Sequence, residues 1–199
     1  MATAILLGSG LLAPLVYLAG ILYAAAAYPG YRHSRQFTSE LGTEHSPRAA
    51  HFNKAQCASG ALLVLFALGV AQALGPGLLA YLIALGLAVF GAATVVMGRY
   101  PCDPGCPATP RTFPGVVHVL AGLLGSLALA LTMLLVAVAL WPEGRGFALY
   151  SLITALSALL ILLGIWFRYS AEVQGVVQRL YSAVTLTWVV GLSVALLGL

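Results

Sequence analysis

Apolar residues run in six long blocks, near 5–27, 53–74, 77–98, 113–141, 146–168 and 175–197, and polar residues collect between them. A helix needs about 20 mostly apolar residues to cross about 30 Å of hydrocarbon, and each block is that long. Backbone N–H and C=O groups cannot stay unpaired in lipid, so the blocks predict helices. The alternation of a barrel strand is absent. The expected fold is all-α: a single polytopic membrane domain over residues 1–199, six transmembrane helices joined by short loops. Gly75-Pro76-Gly77 and Trp141-Pro142-Glu143-Gly144 are the tight turns, and 28–52 is the long connection. Within it, Ser46-Pro47 predicts the cap of a short interfacial helix leading into span two.

Polar positions inside the blocks follow helical spacing. Asn53, Gln56 and Gly60 share a face of span two; Gln174, Gln178, Ser182 and Thr185 share one of span six. His118, Gly122, Ser126 and Ala130 recur every four residues on span four, which turns His118 toward a neighbouring helix. Ala80, Ala84, Ala88 and Ala92 do the same on span three, where small residues let backbones approach. The polar stripes start at one end of the bundle and fade toward its middle. Together they predict a polar cup at that end.

Charge adds an orientation. The chain is 61% hydrophobic and 7% charged, against about 25% charged in a soluble domain. Arg32, Arg35, Arg48, Lys54, Arg99, Arg111, Arg168 and Arg179 fall at the first, third and fifth loops, and only Arg145 lies on the other side. The positive-inside rule then places loops 28–52, 99–112 and 169–174 in the cytoplasm and both termini outside. Arginines recruited to bind an anion would give the same bias from either side. The net charge of +4 reflects this rule and not nucleic-acid affinity, since no basic block sits on a soluble module. The first block lacks a basic leader and reads as a retained span.

Tyr28-Pro29-Gly30-Tyr31, then Ser39-Glu40-Leu41-Gly42, then Asn53 form an ordered set. Tyr100-Pro101-Cys102-Asp103-Pro104-Gly105-Cys106-Pro107 follows, with His118, Gly175 and Gln178-Arg179 after it. Over essentially the whole chain this resembles the six-helix prokaryotic membrane family catalogued as domain of unknown function 998. The resemblance implies the fold and a prokaryotic cytoplasmic membrane, and it implies no activity.

The candidate chemistry gathers at the charged end. Glu40, Asp103 and His118 are the candidate catalytic residues, with His118 as acid or base oriented by one of the carboxylates. Arg179, Gln178, Asn53, Ser39 and Arg32 are the candidate ligand-binding residues, Arg179 clamping an anion through paired hydrogen bonds. The expected function is to bind or modify a lipid or isoprenoid headgroup on the cytoplasmic face, with membrane lipids as partners. In the bland alternative, Glu40–Arg179 and Asp103–Arg99 are ion pairs that fasten loops, and the chain is an accessory subunit packed on a membrane partner or a second copy. A Ser39–His118–Asp103 set would mimic a hydrolase triad, without the usual nucleophile turn. No cofactor is named by any motif, and no metal is expected: the His and Cys spacing matches no known ligand pattern. Cys102 and Cys106 flank a Pro-Gly turn, so their thiols can meet. A disulfide there would need an oxidising space, whereas the charge count points to reduced thiols or a redox- or metal-sensing loop. No acidic or basic side chain lies mid-span, which argues against an ion-coupled pump. With His118 the one histidine inside a span, a transmembrane two-histidine haem site is also excluded.

Overall fold

The computed structural model describes residues 1–142, 144–167 and 172–198. Six helices fill most of that length: α1 (Ala2–Ala25), α2 (Ala49–Leu74), α3 (Leu78–Arg99), α4 (Phe113–Leu140), α5 (Arg145–Phe167) and α6 (Gln174–Leu197). All six are long and apolar enough to cross a membrane, and no strand occurs among the described residues. Arg168, the following three positions of the fifth loop, and Glu143 of the Trp141 turn lie outside the described residues.

Each helix packs on the next in sequence, and α6 closes against α1. The result is an up-and-down ring. The two shortest connections, 75–77 and 141–144, enforce it locally, because so short a turn can only return the chain beside itself. Toward the tight-turn end the ring is filled by Leu7, Phe66, Val70, Ile83, Leu87, Met133 and Trp188, all buried. Trp188 donates its indole N–H to Ser151 Oγ at 2.9 Å, so a polar group deep in the bundle has its partner.

The closest helix approach is not on the predicted alanine stripe. A Cβ at Gly60 would sit 2.6 Å from the Gly91 carbonyl, and one at Gly98 would sit 2.9 Å from the Asn53 carbonyl. Gly60, Gly91 and Gly98 therefore set the α2–α3 crossing. Ala80 is buried but Ala92 is exposed. A four-residue step overshoots the 3.6-residue turn, so the stripe drifts off the contact.

The long connection also differs from expectation. α2 begins at Ala49 without a side-chain cap, and Ser46 Oγ has no hydrogen-bond partner. The short helix lies earlier, as a 3-10 turn over Thr38–Gly42. Glu40 stabilises it by accepting the Phe37 N–H at 3.0 Å, as an acidic residue in a first turn does. This 3-10 turn folds over the end of the ring.

Candidate functional site

An open-sided cavity of about 240 Å³ lies within the ring beneath the 3-10 turn. All six helices contribute to it, from Tyr17 on α1 through Gln56, Thr94, His118 and Leu162 to Tyr181 on α6. Ser39 reaches it from the 3-10 turn. The stripe residues Gln178, Ser182 and Thr185 line one wall, and Gly122 and Ser126 another. Among the described residues no Asp, Glu, Lys or Arg lines it.

His118 is buried and uses both ring nitrogens. Nδ1 lies 2.9 Å from the Tyr100 carbonyl and 3.3 Å from the Met97 carbonyl. Nε2 lies 3.2 Å from Ser39 Oγ. A carbonyl can only accept, so Nδ1 carries the proton in the neutral ring. Nε2 is then an acceptor, and Ser39 donates to it. Two orphan carbonyls at the C-terminal end of α3 thus hold the imidazole.

Neither carboxylate reaches His118. Asp103 Oδ2 accepts the Arg111 N–H at 2.5 Å and the Thr112 N–H at 3.3 Å, and Oδ1 takes the Thr112 hydroxyl. Its carboxyl is held below the usual Asp range, first by the Thr112 hydroxyl and then by the Arg111 backbone N–H. Thr112 caps α4 by accepting from Gly115 N at 3.1 Å. A Cβ at Gly115 would strike the Asp103 carboxylate at 2.7 Å. Asp103 is thus the buckle between loop 100–112 and α4. Glu40 spends its second oxygen on Gln36 Nε2 at 3.1 Å.

The candidate binding residues divide similarly. Asn53 donates to the Gly42 carbonyl at 3.0 Å. Gln178 Oε1 accepts from Thr38 N at 2.6 Å and Thr38 Oγ1 at 2.8 Å. Arg32 is exposed, and its backbone N–H meets Gln36 Oε1 at 2.8 Å. Arg179 Nη1 donates to the Gln36 and Gly175 carbonyls, each at 2.9 Å, and Nη2 to the Tyr31 hydroxyl at 2.6 Å. Burial, opposed by Arg179, pushes the Tyr31 phenol up to about 12, so it stays a donor and bonds the Phe37 carbonyl at 3.1 Å.

The expected ion pairs Glu40–Arg179 and Asp103–Arg99 are not formed. Among the described residues the ion pair present is Arg35–Glu172, an exposed one. Carboxylates this close to the start of a helix find backbone N–H groups first, and those bonds satisfy them without a second buried charge. Tyr17, Tyr31, Gln36, Thr38, Tyr100, Thr112 and Tyr181 belong to the site and were not among the sequence candidates. Two had readable signals: Thr112 stands just before Phe113-Pro114, an N-cap pattern, and Tyr181 is one helical step from Gln178.

A second, more apolar groove of about 560 Å³ runs between α1 and α6. Leu18, Leu22, Ala183 and Thr187 line it and are exposed, and His33, Thr38 and Arg179 stand at its polar end. Tyr17, Ser182 and Leu186 are shared with the first cavity. His33 is held below its ordinary pKa, first by partial desolvation and then by the Arg179 charge.

Cys102 and Cys106 form a disulfide across the Pro104-Gly105 turn. Gly105 takes a positive φ of 74° and Cys106 one of 43°, which the tight reversal requires. No three His, Cys, Asp or Glu side chains gather into a metal-holding group among the described residues. His51 instead packs against Tyr23, and His33 against Tyr31.

The family model described as a protein of unknown function (DUF998) matches residues 11–195. The chain belongs to that family. The match reaches into all six helices and includes every candidate residue above. No curated protein and no solved structure matches it.

Proposed function

We propose that this DUF998 protein binds a lipid or isoprenoid with an anionic headgroup. The observation that carries the reading is the α1–α6 groove. Its walls are apolar and exposed where acyl or prenyl chains would lie, and its polar end holds a guanidinium and an imidazole. An anionic oxygen there would meet Arg179 in a setting that water screens weakly. Native mass spectrometry of the full chain, offered phosphatidylglycerol, a polyprenyl monophosphate or phosphatidylcholine, tests it. Retention of the anionic lipids by wild type, and their loss in Ala183→Trp, supports the groove. Ala183 faces the groove without joining any of the Arg179 hydrogen bonds. Equal retention of all three lipids by both proteins overturns it.

A second reading, a non-catalytic accessory subunit, is favoured by one observation: Glu40, Asn53, Asp103 and Arg179 are all engaged in holding loops to helix ends. It predicts no lipid preference and a requirement of these residues for assembly.

The eight-to-one charge count is the ground for proposing that the polar end faces the cytoplasm and both termini lie outside. The disulfide favours the opposite orientation, since cytoplasmic thiols stay reduced. Arg35, Arg48 and Arg179 also have local partners in Glu172, the Tyr23 ring and the Tyr31 loop. Impermeant thiol labelling of single cysteines placed at Arg32 and Arg145 in intact cells decides between them.

A further inference from the structure

We propose that Ser39 and His118 form a nucleophilic dyad that cleaves the carboxyl ester of a membrane lipid. The inference stands on the inner cavity and is independent of the α1–α6 groove.

Four observations converge. Ser39 Oγ is 3.2 Å from an imidazole nitrogen whose partners force it to accept. That nitrogen and the serine line the same cavity. The cavity walls are otherwise largely apolar, from Leu63, Phe90, Leu123 and Ile165. Finally, the buried Tyr181 hydroxyl lines this cavity with Ser126 as its side-chain hydrogen-bond partner. A phenol O–H that turns from a neutral hydroxyl to a developing oxyanion stabilises the charge.

The bland reading is that Ser39–His118 merely pins the 3-10 turn to α4. It explains the hydrogen bond. It does not explain why the pin points into a cavity. Among the described residues no charged side chain lines the cavity, which suits a neutral ester better than a phosphate.

The step balances as follows. Ser39 Oγ bonds to the ester carbonyl carbon and passes its proton to His118 Nε2. The carbonyl oxygen becomes an oxyanion facing Tyr181. The C–O bond to the alcohol breaks, and the alcohol leaves with the proton from Nε2. Water then attacks the acyl carbon and gives a proton to Nε2; the bond from that carbon to Ser39 Oγ breaks, Nε2 returns the proton to Oγ, and the carboxylic acid is released. The Tyr100 carbonyl takes the orienting place of a triad carboxylate. It fixes the tautomer, but stabilises the imidazolium less than an anion would.

The test uses the full chain in detergent micelles and an alkyl fluorophosphonate, with the adduct located by peptide mass spectrometry. Modification of Ser39 is expected, abolished in Ser39→Ala and slowed about 100-fold or more in His118→Gln, the usual worth of a general base. Ser39→Cys provides a check should Ser39→Ala misfold: its thiol is expected to be alkylated faster by iodoacetamide than Cys57, and to lose that advantage in His118→Gln. A monodisperse wild type that leaves Ser39 unmodified overturns the proposal. So does a rate at Ser39 that His118→Gln leaves unchanged.

Discussion

Gly175→Ala tests how the first loop is fastened. Gly175 opens α6 beneath the backbone of residues 33–36. A Cβ there would stand 2.5 Å from the His33 carbonyl oxygen and 2.6 Å from that of Gln36. Both are backbone atoms, so no rotamer change relieves the clash. The loop must back off by about 1 Å to reach ordinary contact near 3.5 Å. Two hydrogen bonds hold it in place, Val176 N to Ser34 O at 3.1 Å and Arg179 Nη1 to Gln36 O at 2.9 Å. A 1 Å retreat takes both out of range. Overpacking costs about 1–3 kcal/mol and each lost bond about 0.5–1.5 kcal/mol. The sum is about 2–6 kcal/mol, or a fall in melting temperature of roughly 4–24 °C for a chain of this size. The assay is thermal unfolding in detergent followed by tryptophan fluorescence. Gly8→Ala is the control, because a Cβ at Gly8 meets nothing within 4 Å. If Gly175→Ala melts with Gly8→Ala, the loop is not seated as described and the argument for Arg179 as its anchor fails.

Two other predictions follow from the same geometry. Asp103 has a depressed carboxyl pKa, so its contribution is present above the ordinary Asp value near 3.9 and is lost as pH falls through the lower folded value. Asp103→Asn is expected to melt below wild type at pH 7, with the gap narrowing as pH falls below about 3.9; a gap as wide at pH 2.5 as at pH 7 rules out the carboxylate as its source. Ser151→Ala leaves the buried Trp188 indole N–H without its acceptor and is expected to cost about 1–3 kcal/mol, read as a lower melting temperature and a blue-shifted tryptophan emission. An unchanged melt would mean the indole finds another acceptor.

The helices were legible because lipid removes alternatives: an apolar block of this length has one way to pair its backbone. The helical spacing that turned His118 inward also placed Gln178, Ser182 and Thr185 on one wall, since a 3.6-residue period is a local property. What each charged group would bond was not legible. Glu40 looked like a partner for Arg179, yet it caps its own turn. Asp103 looked like the orienter of His118, yet it buckles α4. In both cases the winning partner is a backbone N–H, which every residue carries and no side-chain pattern announces. The orienter of His118 is likewise a main-chain carbonyl, exposed only because α3 ends at Arg99 and the loop carries Tyr100 over the imidazole.

The sequence by itself determined six spans, the end of the bundle where polar chemistry collects, and membership readable from ordered motifs. Those depend on hydrophobicity and on spacing along one helix. The tertiary structure alone decided that Ser39 meets His118, that no charged side chain among the described residues lines the inner cavity, and that Arg179 stands at the adjoining groove. Such facts depend on how far each helix rotates and where each loop folds back. Ring closure of α6 on α1 settles both, through contacts between residues more than a hundred positions apart, such as Thr38 with Gln178.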